Sequence, residues 1–274
     1  MPTADPAATQ PLATAAPVAA GIVLVGWIVF WAWLWGWFLP AGRRRLDADD
    51  ASAFFAQLGW LWTRRVHGYR IEGFTPQARA LLDDPASGPI IVVCNHAAGV
   101  DPILVQLSMR RRLRWFMAAE QMVGALGWFW RLQQVIPVHY DRRDTQSLLV
   151  AMTHLRAGGA LGVFPEGGIA RPHGQVYRFM PGFASLAAKG KARVVVLSLR
   201  GIPANAGVMR SLLIPCSATL RLLAIADPPA ANDLEAFTER VRTMIADDLG
   251  LPLADRHLDH IEERLARHAA GSSR

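Results

Sequence analysis

Cysteine is scarce. Cys94 and Cys216 are the only two, far apart in the chain and in no metal-ligand spacing. Two distant thiols exclude a disulfide framework, and a reducing compartment is the natural reading. Cys94 has no evident partner base and reads as a strand-end packing residue. Charged residues make up only 19% of the 274, against 52% hydrophobic, which is more apolar than a typical soluble domain. Residues 1–17 contain neither Lys nor Arg. The basic start of a cleavable signal peptide is therefore missing, and the Ala, Pro and Thr of this stretch read as a disordered tail. No internal repeat occurs, and no clear domain boundary follows Arg65.

Residues 18–39 contain no charge at all, and Pro17 and Pro40 bracket them. As a helix, that length spans about 33 Å, close to the hydrocarbon thickness of a bilayer. Arg43, Arg44 and Arg45 follow immediately, so the positive-inside rule places the remaining chain in the cytoplasm. Trp27, Trp31 and Trp35 recur at helical spacing and form one stripe, beside Trp33 and Trp37. Tryptophan favours the membrane interface. Two arrangements stay open: a full span, or a one-leaflet anchor with an amphipathic element at 54–62 beside it. The layout expected is a tail (1–17), a membrane helix (18–39), an amphipathic connector (40–65) and one domain over 66–274.

The net charge is +7, gathered at Arg43–Arg45, Arg64–Arg65, Arg110–Arg114 and Arg142–Arg143. Such patches suit anionic lipid, a phosphate-bearing substrate or an acidic carrier protein, or are simply solvated faces. They match no nucleic-acid reader motif, so no nucleic-acid partner is expected. Past residue 65, strands are expected at 69–72, 90–94, 135–138, 160–164, 193–199 and 218–225. Several are unbroken Val/Ile/Leu runs, as in strands covered on both faces. Helical patterns fall near 102–112, 119–131, 144–157 and 182–190, with two amphipathic helices at 232–248 and 254–268. The expected fold is therefore α/β: a mostly parallel or mixed sheet flanked by helices, behind an N-terminal membrane helix.

The strand at 90–94 runs into Asn95-His96-Ala97-Ala98-Gly99-Val100-Asp101-Pro102. Polar residues at the end of a buried strand sit where α/β sheets bind ligands. Asp101 reads as the N-cap of the next helix, with Pro102 at its first position. A tight turn at Gly99 would fold Asp101 back onto the imidazole, fixing its tautomer so that the other nitrogen takes a proton from an alcohol. The spacing alone does not choose a site, because His139 and Asp144 repeat it in a charged stretch where Asp144 reads as a helix cap. Context favours His96. Phe164-Pro165-Glu166-Gly167-Gly168 leaves another buried strand, and its glycines permit close backbone approach to a bound group. Arg142 and Arg143 make a phosphate clamp or an exposed turn.

Together these elements resemble the glycerolipid acyltransferase superfamily over roughly residues 66–205. Its first motif is Asn-His-x4-Asp, matched by Asn95, His96 and Asp101, and its third is Phe-Pro-Glu-Gly, matched by Phe164, Pro165, Glu166 and Gly167. The resemblance implies direct acyl transfer with His96 and Asp101 as the catalytic pair. Asn95, Arg142, Arg143, Phe164, Pro165, Glu166, Gly167 and Arg171 are the implied substrate-binding residues. It also implies no cofactor and no metal, acyl-CoA or acyl-carrier protein as co-substrate, membrane lipids as partners, and backbone N–H groups near Asp101 as oxyanion donors. Residence in a bacterial inner membrane, facing the cytoplasm, is the matching expectation.

The chain also departs from that pattern. Ile136-Pro137-Val138-His139-Tyr140 stands where the family reads Ile-Pro-Val-Asp-Arg, which puts Tyr140 at the phosphate-binding arginine's position. Gly168 and Ile169 replace Thr-Arg after the third motif, and the proline-bearing fourth motif is reduced to Val194-Val195-Val196-Leu197-Ser198. All of these changes fall on the acceptor side. Lysophosphatidic acid is the default acceptor; another lysolipid, an amino-acid lipid, or a non-catalytic lipid-binding role on the same fold are the alternatives. A metal hydrolase built on His96, Asp101 and His139 lacks a recognisable ligand set.

Overall fold

The computed structural model describes residues 12–139, 144–203 and 208–263. The elements run α1 (Leu12–Trp33), α2 (Leu39–Arg45), α3 (Asp50–Val66), β1 (Arg70–Glu72), α4 (Pro76–Asp83) and β2 (Ile90–Cys94). Then come α5 (Asp101–Gln106), β3 (Leu113–Ala118), α6 (Gly127–Leu132), β4 (Ile136–Val138), α7 (Thr145–Arg156) and β5 (Ala160–Val163). The remainder is α8 (Gly182–Gly190), β6 (Arg193–Arg200), α9 (Val208–Ser211), β7 (Thr219–Ala226) and α10 (Leu234–Leu249). Residues 259–263 are again helical, inside the helix expected over 254–268, whose later part lies outside the described residues.

Seven strands form one sheet in the order β1-β7-β6-β2-β5-β3-β4. Every pairing is parallel except β6 with β7, so the sheet is mixed. Alternation along each strand divides the core into two faces. Ile91, Val93, Val194 and Val196 pack under α7, α8 and α10. Ile90, Val92, Cys94, Val195, Leu197 and Leu199 pack under α3, α4 and α5. Burial on both faces is the reason β2 and β6 read as unbroken aliphatic runs rather than alternating ones.

Three local features differ from the sequence reading. β3 was not expected: its Leu-Arg-Trp-Phe-Met-Ala run follows an arginine cluster, and short apolar runs do not separate helix from strand. The helix expected over 102–112 stops at Gln106, and that over 119–131 is reduced to short turns and α6. At the N-terminus, helical backbone begins at Leu12, ahead of Pro17, and runs past Pro40 into α2. A π-helical turn over Leu34–Phe38 joins α1 to α2, and the Leu39 N–H reaches back to Leu34 O.

Ala19–Arg45 is the one helix among the described residues that is long and apolar enough to cross a membrane. Ile22, Val23, Leu24, Val25, Trp27, Ile28 and Val29 on it are all exposed. A surface of that kind is covered by lipid or by another apolar partner. Behind it, the expected connector resolves into α2 and α3. Asp49 caps α3 by accepting the Ser52 N–H at 2.9 Å, and it also pairs with Arg112 at 2.8 Å. α2 crosses α3 at Gly42, where any Cβ would overlap the Ala53 carbonyl. Gly36 in the π turn has open space around it.

Gly42→Ala should therefore lower stability by about 1–3 kcal/mol through overpacking. Gly36→Ala should be neutral or slightly stabilising, since it only removes backbone freedom. Thermal unfolding of the two variants in the same detergent checks the contrast.

Candidate active site

β2 and β5 are neighbours in parallel register, with Val93 opposite Val163. Whatever follows each strand therefore emerges side by side on one sheet edge. After β2 come Asn95 and His96; after β5 comes Phe164. Topology alone brings the two sequence motifs together.

His96 Nδ1 lies 2.9 Å from Asp101 Oδ2. The same oxygen accepts the N–H of Ala97 at 2.7 Å and of Ala98 at 2.8 Å. Asp101 is fully buried, and a buried carboxylate requires such donors. It is the first residue of α5 rather than its cap, because its side chain folds back over the 97–100 turn instead of forward to the helix. With Nδ1 donating to the carboxylate, the open ring nitrogen is Nε2, which makes no hydrogen bond to a described residue. The imidazole is 15% exposed, enough for a substrate atom to reach it. The competing pair is arranged otherwise. Asp144 accepts the backbone N–H of His139 at 2.8 Å and that of Ser147 at 3.0 Å, which makes it the cap of α7.

The N–H groups of Ala97 and Ala98, nearest the ring, are already given to Asp101. Asn95 is likewise occupied. Its amide donates to Leu199 O at 2.9 Å and accepts from Leu199 N at 2.8 Å, clamping the ends of β2 and β6. Expected to touch substrate, it instead fixes the strand that carries His96. Beside it, burial pushes the Cys94 thiol well up, and Asp101 and Glu166 add to that, so it stays a neutral packing group.

The third motif forms the facing wall. Glu166, also expected to meet substrate, is buried, with Oε1 accepting the His96 N–H and Oε2 the Tyr177 N–H, both at 3.2 Å. His96 is thus braced from its main chain as well as its ring, and Ala170 N–H donates to His96 O at 2.8 Å. Pro165 O accepts the Met180 N–H at 2.7 Å. Gly167 has φ +82°, which favours glycine, and its carbonyl lies 3.2 Å from His260 Nε2. Arg242, buried under the loop, donates to Tyr177 O and Val176 O at 2.9 Å each. Arg171 lies on the exposed stretch directly after Ala170. Arg142 and Arg143 lie outside the described residues.

Phe164 stacks on His96 at 4.0 Å between centroids, with 13° between planes, and on its other side meets Trp115 at 4.7 Å and 17°. Trp115 pairs in register with Gly162, where a Cβ would fall 2.6 Å from the indole. Gly162 is therefore glycine so that the indole can lie across β5. Sequence reasoning missed Trp115 because it missed β3; the signal available was a lone glycine inside a strand, which marks close approach.

The Arg110–Arg114 cluster, one of the basic patches of the sequence, lies at the N-terminal end of β3, opposite the His96 edge. Arg111 donates to Gly88 O at 2.9 Å and to Gly158 O, Arg112 to Leu132 O at 3.0 Å, and Arg114 to Gln134 O at 3.0 Å. Among the described residues no group of His, Cys, Asp or Glu is gathered as a metal site.

A buried histidine–carboxylate pair with one ring nitrogen open, at the end of a parallel β-strand, is equipment for activating a hydroxyl. Residues 51–200 match the Acyltransferase family, and the chain belongs to it. It is an acyltransferase. A solved structure similar to it is that of the 1-acyl-sn-glycerophosphate (LPA) acyltransferase, PlsC, from Thermotoga maritima. The TM-score is 0.56 with 18% sequence identity, over 81% of this chain and 92% of that one, a likeness of fold. No curated protein matches the chain in sequence.

Burial raises the Glu166 carboxyl from 4.5 to about 7, against the opposing pull of the His96 and Tyr177 N–H groups. The folded state therefore holds this proton more tightly than the unfolded chain does. Stability should be full below the unfolded value and fall as pH rises to about 7, by up to about 3 kcal/mol from this group. Thermal melts across that range should show the slope in wild type and a flatter one in Glu166→Gln. Gly162→Ala should tilt Trp115 and lower kcat by on the order of 10–100-fold through misplacement of His96. Trp115→Phe, which keeps a ring to stack, should lose much less. Steady-state kinetics of the two decide it.

Proposed function

We propose that this acyltransferase moves a fatty acyl group from the thioester of acyl-CoA or an acyl-carrier protein to the free hydroxyl of a lysophospholipid, with lysophosphatidic acid as the default acceptor. The observation that carries the reading is the 2.9 Å contact of His96 Nδ1 with Asp101 Oδ2, which leaves Nε2 as a base. Nε2 takes the hydroxyl proton as the acceptor oxygen attacks the thioester carbonyl carbon. The tetrahedral intermediate collapses with cleavage of the C–S bond, and the imidazolium returns its proton to the departing sulfur. Asp101, hydrogen-bonded to Nδ1, stabilises the imidazolium. The apolar helix fits an acceptor presented by a membrane, and Arg43–Arg45 after it fit a catalytic domain on the cytoplasmic side. The similar solved protein is a 1-acyl-sn-glycerophosphate (LPA) acyltransferase by name, which supports the default acceptor.

A second reading, another lysolipid or an amino-acid lipid as acceptor, is favoured by one observation. Tyr140 occupies the position where the resembling family places a phosphate-binding arginine.

His96→Ala should cost about 10²–10⁴-fold or more in turnover. His139→Ala should stay close to wild type. Equal turnover of His96→Ala and wild type would refute the assignment of His96 as the base. A panel of lysolipids with labelled acyl-CoA tests the acceptor: lysophosphatidate should be preferred, and no preference for it would remove the default.

A further inference from the structure

An unbroken aromatic contact path leaves the apolar N-terminal helix and ends on a segment far away in sequence. Trp33 lies 4.8 Å from Phe38, Phe38 5.2 Å from Phe54 of α3, and Phe54 5.7 Å from Phe55. Phe55 in turn meets Trp128 at 6.1 Å and Phe129 at 5.9 Å. The path thus carries the apolar surface of α1 across α3 onto the 123–130 segment. That segment is held in place, since Trp130 Nε1–H donates to Val123 O at 3.1 Å. Its apolar side chains nevertheless face outward: Val123 is 58% exposed, Trp128 52% and Leu126 36%.

Exposed Val, Leu and Trp grouped on one short segment are costly in water. Tryptophan with an apolar body and a polar N–H belongs at a membrane–water boundary. Cations border the same surface: Arg131 lies one turn beyond Trp128, and Arg43–Arg45 follow the apolar helix, as expected beside anionic head groups. The segment belongs to the crossover from the C-terminal end of β3 back toward its N-terminal end, where Leu132 O accepts from Arg112 at 3.0 Å.

We propose that residues 123–130 are a second membrane contact, separate in sequence from the N-terminal helix, seating Val123, Leu126 and Trp128 in the interface of the same bilayer. This contact fixes the tilt of the domain relative to the bilayer. The contact concerns the surface and not the chemistry of the acceptor.

The test uses the full chain in vesicles of phosphatidylglycerol and phosphatidylcholine, part of the latter brominated on its acyl chains. An environment-sensitive fluorophore is attached through Val123→Cys in a Cys216→Ser background, where Cys94 is buried. The control carries it through Glu235→Cys on the exposed side of α10. A blue-shifted emission at 123 that brominated lipid quenches, beside a red-shifted and unquenched control, is the result expected. A red-shifted, unquenched probe at 123 overturns the proposal. So does a blue shift without quenching, which means a second copy of the chain covers the patch, and so does equal quenching at both positions. No turnover is needed, so failure here leaves the acyl-transfer reading intact, and loss of that reading leaves this one testable.

Discussion

Asp101 Oδ2 gathers the N–H of Ala97, the N–H of Ala98 and the ring Nδ1 of His96, all within 2.9 Å. A carboxylate in a fully buried position survives only if donors replace its water. Here those donors are the turn that carries the histidine and the histidine itself. One carboxylate oxygen therefore shapes the loop and fixes the orientation of the ring. Pairing, loop shape and chemistry are one interaction, and removing the carboxylate would unmake all three.

The second motif acts by bracing the first rather than by reaching outward. Glu166 ties the His96 main chain to Tyr177, while Phe164 lays its ring against the imidazole with Trp115 behind it. Asn95 locks β2 to β6 from the other side. The histidine is held by its ring face and its backbone from the segment after β5, and by its Nδ1 from Asp101 at the start of α5. Such preorganisation is what general-base catalysis needs, since a small misplacement of the base is expensive in rate.

α3 covers one face of the sheet and carries, through Phe54 and Phe55, the aromatic connection between the N-terminal helix and the 123–130 segment.

Much of this architecture was legible in the residues. The uncharged stretch before Arg43 marked the apolar helix, since no water-exposed helix tolerates such a run. β2 and β6 were legible from aliphatic continuity, and Ile90–Cys94 fell where expected. The two motifs identified His96, Asp101 and the loop from Phe164. The rest depended on tertiary structure. Whether His96 or His139 meets its aspartate by the ring depends on how each turn closes, and the two have the same spacing. That Asn95 and Glu166 face main chain rather than solvent follows from which strands are neighbours. Trp115 reaches the site only because β3 lies beside β5 with Gly162 opposite it. Spacing along a chain records which groups are near in sequence, whereas a site is assembled from strand ends whose adjacency is set by long-range burial.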